Sequence, residues 1–254
     1  MQTKIFLLAH QDDEIAIFNH IKNSVQSNNK TLIIYATNGR IKKKENSEII
    51  KKRELESSYV LRKIGVKKKN IIFLGKKLNI NSYELHLKLD LVYKKLNLLI
   101  NKIQGKIIIY THSWEGGNMD HDSCYIIILK LMNKFPRVIK AFQFAMYNSN
   151  KMLLKFYKAF SPIKNNGPLV KLDINFKEKI RFICLLFSYK SQLKIWIGLY
   201  PVLILNILSN NYGYLQQIKK KKLLNKPHGN ELWYEKRKFG SYNENKLLFL
   251  KFLK

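Results

Sequence analysis

The first half of the chain alternates short apolar runs with longer amphipathic stretches. Runs rich in β-branched and aromatic residues predict strands over 4–9, 31–37, 70–74, 106–111 and 138–144. Apolar positions at helical spacing predict helices over 14–27, 47–64, 82–103 and 121–134. Strands that alternate with helices of this length predict an α/β fold, a Rossmann-like three-layer sandwich with a mostly parallel sheet.

The pattern weakens after about residue 148. Two further helices are predicted over 177–189 and 192–208. The mostly apolar stretch from Ile195 to Leu208 has fourteen residues and is interrupted by Pro201, so it falls short of the roughly 20 residues that cross a bilayer. The stretch predicts a buried helix or a surface-docking element. We expect a single domain over 1–254, with an α/β core over about 1–147 and a mixed C-terminal extension over about 148–254.

Two polar clusters each follow a predicted strand. Residues 10–14 (His-Gln-Asp-Asp-Glu) come directly after the first strand, and residues 112–122 follow the fourth. In open parallel sheets, ligands bind beyond the carboxyl ends of the strands. We therefore expect the two clusters to form one site.

The residue types in these clusters favour a metal centre. His10 and Asp13 are three residues apart and can converge on one point, while Asp12 points elsewhere and keeps a carboxylate free as a base. His121 is the natural third ligand. Two histidines and one carboxylate are typical of a catalytic zinc site with an open position. Another divalent metal is an alternative, as is a simple N-cap role for the aspartates.

The same residues resemble the PIG-L (LmbE-like) family of zinc-dependent N-acetylglucosaminyl deacetylases. Residues 10–14 and 117–122 are similar to the family's AHPDDE and GGHPDHD-type motifs. Residues 37–39 resemble its T-D-G turn. Further landmarks are Arg53 with Glu56, the segment 61–66, and residues 188–192, which resemble a tyrosine-x-Ser-Gln stretch. The similarity is firm to about residue 145 and looser beyond.

The resemblance implies roles for several residues. His10, Asp13 and His121 match the zinc ligands, and Asp12 matches the general base, in agreement with the assignment from the residues alone. Asp120 matches the acidic neighbour that supports a ligand histidine.

The resemblance also implies substrate contacts. Arg53 matches a substrate-binding arginine, with a surface ion pair to Glu54 or Glu56 as the alternative. From the residues alone, and not from the resemblance, Trp114 lies in a glycine-ended loop over the site, where it either stacks on a sugar ring or packs the loop. Asn38 stands at the rim, where the family has an aspartate.

Asn118 is the most important departure from the family pattern. It replaces a histidine that stabilises the oxyanion and protonates the leaving amine. Asparagine donates a hydrogen bond but supplies no proton. Three alternatives follow: Asp12 acts as both base and acid, His112 moves in as the acid, or the protein binds without efficient turnover.

The charge of the chain bears on its partners. The 254 residues contain 47 Lys and Arg against 17 Asp and Glu, which gives a formal net charge of +30. Because the lysines are scattered through the whole chain, a solvated basic surface is favoured over a dedicated anion-binding face. An anionic membrane, a phosphorylated glycan and a nucleic acid are the alternatives, and nucleic acid is not expected to be an obligate partner.

The function that we expect is zinc-dependent removal of an N-acetyl group from an amino sugar or a lipid- or nucleotide-linked glycan, in glycan or glycoconjugate biosynthesis. The alternatives are a weakened family member that binds metal and glycan, and a basic nucleic-acid-binding protein. Two isolated cysteines, Cys124 and Cys184, favour a reducing compartment. We therefore expect a cytoplasmic protein, with contact to the inner face of the membrane as an extension.

Overall fold

The structure, a computed structural model, describes residues 2–41, 45–154, 156–209, 212–219 and 225–254. The strands are β1 (Thr3–Leu8), β2 (Lys30–Tyr35), β3 (Ile71–Phe73), β4 (Ile107–His112), β5 (Val138–Phe144), β6 (Tyr147–Asn148), β7 (Lys158–Ala159), β8 (Leu169–Val170) and β9 (Leu215–Gln217). The α-helices are α1 (Phe18–Gln26), α2 (Glu48–Lys63), α3 (Leu74–Lys77), α4 (Leu89–Asn101), α5 (Met119–Lys134), α6 (Phe176–Leu186), α7 (Leu193–Trp196), α8 (Tyr200–Leu208), α9 (Trp233–Lys236) and α10 (Tyr242–Leu253).

One seven-stranded sheet organises the fold, in the order β3-β2-β1-β4-β5-β9-β8. The first five strands are parallel, which confirms the five predicted strands and the predicted α/β class. β9 pairs antiparallel with β5, and β8 pairs antiparallel with β9. Part of the C-terminal extension thus adds an antiparallel edge to the parallel sheet.

Helices cover both faces of this sheet. Successive side chains of β1 point to opposite faces, so Ile5 and Leu7 enter one core cluster and Phe6 and Leu8 enter the other. The first cluster lies under α4, α5 and α10, and the second lies under α1, α2, α6 and α8. The arrangement is the three-layer sandwich expected from the sequence.

Two helix predictions needed correction. The helix predicted over 82–103 begins at Leu89, because the backbone N–H groups of Tyr83 and Leu85 bind the Asp120 carboxylate instead of helical carbonyls. The helix predicted over 192–208 is divided into α7 and α8, with Pro201 in the first turn of α8. Proline has no N–H to give to the preceding turn. The lysine runs 42–44 and 219–222 fall outside the described residues, apart from Lys219.

Buried His20 on α1 makes stability depend on pH. Burial lowers the pKa of His20 to about 4, and its Nε2 lies 2.7 Å from the Gly213 carbonyl oxygen. In the unfolded chain the pKa returns to about 6.5, so below that pH the unfolded state binds more protons. We expect this residue to reduce the free energy of unfolding by about 1.4 kcal/mol per pH unit as the pH falls from 6.5 towards 4.

Urea denaturation across this pH range checks the expectation. His20→Gln keeps a side chain that can donate to the Gly213 carbonyl but does not titrate. The variant should show a shallower pH dependence than the natural protein. Parallel pH dependences in the two proteins would contradict a buried neutral His20.

Candidate metal and substrate site

The two polar clusters meet at the middle of the sheet. β1 and β4 are neighbours, and the strand order runs outward from them in both directions. His10 lies just beyond the end of β1, and α5 brings His121 to the same edge after β4. A crevice at such a switch in strand order is where open α/β sheets bind ligands.

His10, Asp13 and His121 come together as the sequence predicted. The His121 Nε2 atom lies 3.3 Å from His10 Nδ1 and 3.4 Å from Asp13 Oδ1. His10 Nδ1 lies 3.6 Å from Asp13 Oδ2. One ligand atom from each residue lies within 4.8 Å of the other two, a grouping that can hold a metal ion.

Asp120 fixes the orientation of His10. Its Oδ2 lies 2.9 Å from His10 Nε2, so this nitrogen donates to the carboxylate while Nδ1 faces Asp13 and His121. The carboxylate also accepts the backbone N–H groups of Tyr83 (2.5 Å) and Leu85 (3.1 Å). A buried aspartate held by two backbone donors and bound to a ligand histidine is the usual support of a zinc site.

The electrostatics of the cluster suit a cation. Burial lowers the pKa of His10, but Asp13 and Asp120 outweigh it and raise the pKa to about 10. Burial and the charge of His112 lower the pKa of His121 to about 3. At neutral pH His10 therefore holds a second proton, and a cation bound between His10 Nδ1, His121 Nε2 and the Asp13 carboxylate would take the place of that proton. The two imidazoles and one carboxylate fit Zn²⁺.

Asp12 occupies a conspicuous backbone conformation beside this cluster. Its φ of 145° is rare for a residue other than glycine, and its backbone N–H is bound by Glu14 Oε2 at 3.1 Å. Asp12 lines the pocket together with His10, Asp13 and His121. Burial and the neighbouring Asp13 raise the pKa of Asp12 well above its usual range, against the lowering effects of Arg53 and His10.

Arg53 lines the same pocket from α2. It donates to the Gly39 carbonyl and to Glu45 Oε1, the latter at 3.1 Å. The Gln192 side-chain oxygen accepts from Arg53 Nε and Nη2, each at 2.6 Å. Arg53 is therefore a buried, oriented cation at the pocket wall. The surface ion pair considered above does not form, since its acidic partner is Glu45.

Asn118 and Tyr147 form a hydrogen-bonded pair that also lines the pocket. Asn118 caps α5 by accepting the Asp120 N–H at 2.8 Å, and its Nδ2 donates to the Tyr147 hydroxyl at 3.2 Å. The Tyr147 ring packs edge-on against His121 at 5.4 Å. Because the Tyr147 oxygen accepts this bond, its own proton is free to point into the pocket. Tyr147 was not predicted, since it lies beyond both polar clusters.

A glycine permits this placement of Tyr147. A Cβ atom on Gly117 would lie 1.9 Å from the Tyr147 carbonyl oxygen, so only glycine allows β6 to approach the start of α5. The glycine pair of the second polar cluster thus shapes the wall of the site.

The pocket over the cluster has a volume of about 600 Å³. Its floor is polar, and its walls are aromatic and aliphatic. The aromatic residues of the wall are Tyr83, Tyr147, Tyr157, Phe160, Trp196, Trp233 and Phe239. Such a mixture of an apolar lining and a few convergent polar groups is characteristic of small-molecule sites.

The stacking role considered for Trp114 is wrong. Its side chain is buried, packs against Tyr125 and Phe249, and donates from Nε1 to the Asn225 carbonyl at 2.8 Å. Trp114 does not belong to the pocket wall, where Trp233, Trp196 and the tyrosines stand instead. The alternative, that Trp114 packs its loop, is what the structure shows.

Asn38 and His112 also lie away from the expected positions. Asn38 is buried and binds Asn81 and the Arg40 N–H, so it shapes the turn and is not part of the pocket rim. His112 ends β4 and stacks on His121 with ring centroids 3.9 Å apart. Its Nε2 lies 3.0 Å from both Asp13 Oδ2 and the Ala9 backbone nitrogen. A histidine locked beneath the ligands cannot swing into the pocket as an acid.

Comparisons with known proteins agree with this geometry. The sequence model of the GlcNAc-PI de-N-acetylase (PIG-L) family matches residues 5–132, half of the chain. The chain belongs to this family. No curated protein is similar enough to count as a match.

Solved structures share the fold. N,N'-diacetylchitobiose deacetylase from Pyrococcus horikoshii, complexed with an inhibitor, has a TM-score of 0.62 and 17% identity over 85% of this chain and 83% of its own. The deacetylase of teicoplanin biosynthesis has a TM-score of 0.58 and 13% identity over 85% and 96%. Its zinc-inhibited form has 12% identity with the same TM-score and coverage. At these identities the similarity shows the α/β fold.

Proposed function

We propose that this protein is a zinc-dependent N-deacetylase that releases acetate from an N-acetylated amino sugar or its conjugate. The observation that carries the proposal is the His10, Asp13 and His121 cluster, with the Asp12 carboxyl group beside it in the pocket. Membership of the PIG-L family supports the same reaction class. We further infer that residues 1–254 act as one unit, since β9 of the extension completes the sheet.

His10, Asp13 and His121 would hold the zinc ion. Zinc bound there supplies a Lewis acid for the amide carbonyl and makes water nucleophilic near pH 7. Asp120 keeps His10 Nε2 protonated, so Nδ1 remains the ligating atom. The buried His112 supports the arrangement from below by its contacts with Asp13 and His121.

Asp12 moves the protons of the reaction. Its carboxylate accepts the proton of the attacking water as the new C–O bond forms. When the C–N bond breaks, the same carboxyl group returns that proton to the leaving nitrogen. The amide and one water thus become acetic acid and an amine, which leave as acetate and an ammonium ion once the acid proton passes to the amine, and Asp12 ends in its starting state. One group that acts as base and then as acid accounts for turnover without a histidine at position 118.

Tyr147 and Asn118 stabilise the developing negative charge. The hydroxyl proton of Tyr147 is available because Asn118 Nδ2 donates to its oxygen. A hydrogen bond aimed at the oxyanion is stronger in the transition state than in the ground state. Arg53, oriented by Gly39 and Glu45, provides a fixed cation for a polar group of the substrate.

Acetate release is the direct test. The zinc-loaded protein is incubated with N-acetylglucosaminyl conjugates that differ in their aglycone, including lipid, inositol and nucleotide-diphosphate forms, and acetate is assayed enzymatically. We expect release from at least one conjugate. Zinc-loaded protein that releases acetate from none of them would favour a family member that binds a glycan without turnover, the candidate that Asn118 suggests.

Tyr147→Phe should lower kcat by about 10²-fold with little change in KM, because it removes one donor to the oxyanion and keeps the ring against His121. Steady-state kinetics measure the effect. Tyr157→Phe is the matched control, since Tyr157 lines the same pocket and contacts Tyr147 through its ring. Equal kinetics for Tyr147→Phe and the natural protein would exclude the role given to this hydroxyl.

A further inference from the structure

The outer side of α8 is apolar. Residues 195–208 contain no charged side chain, although 25% of the whole chain is charged. One side of α8 packs into the core through Tyr200, Leu203 and Ile207. The opposite side exposes Val202 and Leu205, and α7 leads into it with Ile197, which is 76% exposed. A helix that is apolar on both sides is normally buried on both sides, so the exposed side of α8 is expected to contact a second apolar surface.

A second exposed apolar group lies on the segment between β6 and β7. Leu153, Leu154 and Phe156 are 82%, 79% and 61% exposed. Several large apolar side chains that are neighbours and this exposed to solvent usually mark a contact surface.

Both groups adjoin the substrate pocket. Trp196, Leu199 and Leu203 of the α7–α8 region line the pocket, and the exposed Ile197 and Val202 lie beside them in sequence. Tyr157, which also lines the pocket, directly follows the exposed Phe156. Each exposed apolar group therefore directly neighbours, along the chain, residues that line the pocket. We call Ile197, Val202, Leu205, Leu153, Leu154 and Phe156 the docking face.

Basic side chains accompany this face. Residues 176–208 contain five basic residues and one acidic residue, Glu178, which forms an ion pair with Lys22. Lys190 is exposed just before α7. The depression beside Leu154 and Phe156 holds both signs of charge, with Lys236 and Lys238 next to Glu231 and Glu235. On the α6–α8 side, exposed apolar side chains with an excess of basic residues match the chemistry of an anionic bilayer surface, where acyl chains and acidic headgroups lie side by side.

We propose that the docking face binds the protein to the surface of an anionic lipid bilayer, with the pocket mouth towards the headgroups. The binding is peripheral: within the described part of the chain, no helix is long and apolar enough to cross a membrane. The face and its lysines carry the proposal independently of the reaction in the pocket.

Vesicle co-sedimentation of the full chain tests the proposal. We expect binding to vesicles of phosphatidylcholine and phosphatidylglycerol in equal amounts, and weak binding to phosphatidylcholine alone. The double variant Val202→Gln/Leu205→Gln leaves the net charge at +30 and should reduce the partition coefficient by about tenfold or more. Leu153→Gln/Leu154→Gln tests the second group in the same way.

Leu98→Gln/Leu247→Gln is the matched control. Both leucines are similarly exposed, but α4 and α10 cover the opposite side of the sheet from α8. The control should bind vesicles like the natural protein, and circular dichroism should show that all variants fold. The proposal is overturned if the natural protein does not sediment with the mixed vesicles or binds neutral vesicles equally well. It is also overturned if both docking-face variants bind as tightly as the control, since charge alone would then explain the binding.

Discussion

Asp12→Asn is expected to lower kcat by up to about 10⁴-fold while zinc binding is retained. Asparagine has the size of aspartate and tolerates the positive φ of this position, but its amide cannot take a proton from water. In our account Asp12 serves both steps of the reaction, because Asn118 supplies no proton and His112 is locked beneath the ligands. Both proton transfers are therefore lost together.

The measurement is kcat for acetate release, with the zinc content of each preparation determined in parallel. Asp90→Asn is the matched control, since Asp90 is an exposed aspartate in the first turn of α4. An Asp12→Asn protein that keeps full zinc and turns over within a few fold of the natural rate would show that another group is the base. The metal cluster would be unaffected by that result.

His121→Ala is expected to remove zinc and activity together. The His121 Nε2 atom lies within 3.4 Å of the facing atoms of both His10 and Asp13, so its loss leaves two of three protein ligands. Asp120→Asn should act more mildly and lower zinc affinity by about 10–100-fold, because it weakens the support of His10 and removes no ligand.

Zinc affinity is measured by calorimetric titration of chelator-treated protein. His228→Ala serves as the control, since His228 lies in a loop outside the ligand cluster. Equal zinc affinity in His121→Ala and His228→Ala would place the metal elsewhere. A loss of affinity in both variants, accompanied by unfolding in circular dichroism, would indicate damage to the fold.

The strands were predictable because each is recognised from a local run of residues. The metal cluster was predictable because the topology of a parallel sheet brings its members together. The apolar runs before His10 and before His112 are short and bounded by polar residues, which identifies them as buried strands. Parallel strands bring their carboxyl ends to one edge, so His121 was expected near His10 although 111 positions separate them.

The direction of individual side chains was not predictable in the same way. Trp114 and Asn38 lie in loops that border the site, but each side chain turns into the protein to make a hydrogen bond there. Trp114 reaches the Asn225 carbonyl, a partner far away in the chain. Closeness in sequence to the site residues therefore predicted correctly where the two loops lie. It did not predict what the two side chains contact.

Tyr147 and β9 were missed for a different reason. Tyr147 lies three residues after β5, in a segment with no polar cluster and no periodic pattern. β9 is a three-residue strand with the sequence Leu-Gln-Gln, and its identity depends on pairing with β5. Elements defined by distant partners leave little trace in a single sequence.

Titration of metal-free protein with Zn²⁺, with acetate release followed from an N-acetylglucosaminyl conjugate, tests the central claim most directly. Our account predicts no release from the metal-free protein and a rise that reaches its plateau at one zinc per chain. Undiminished release from the metal-free protein, or no release from any conjugate once one zinc is bound at His10, Asp13 and His121, would contradict it.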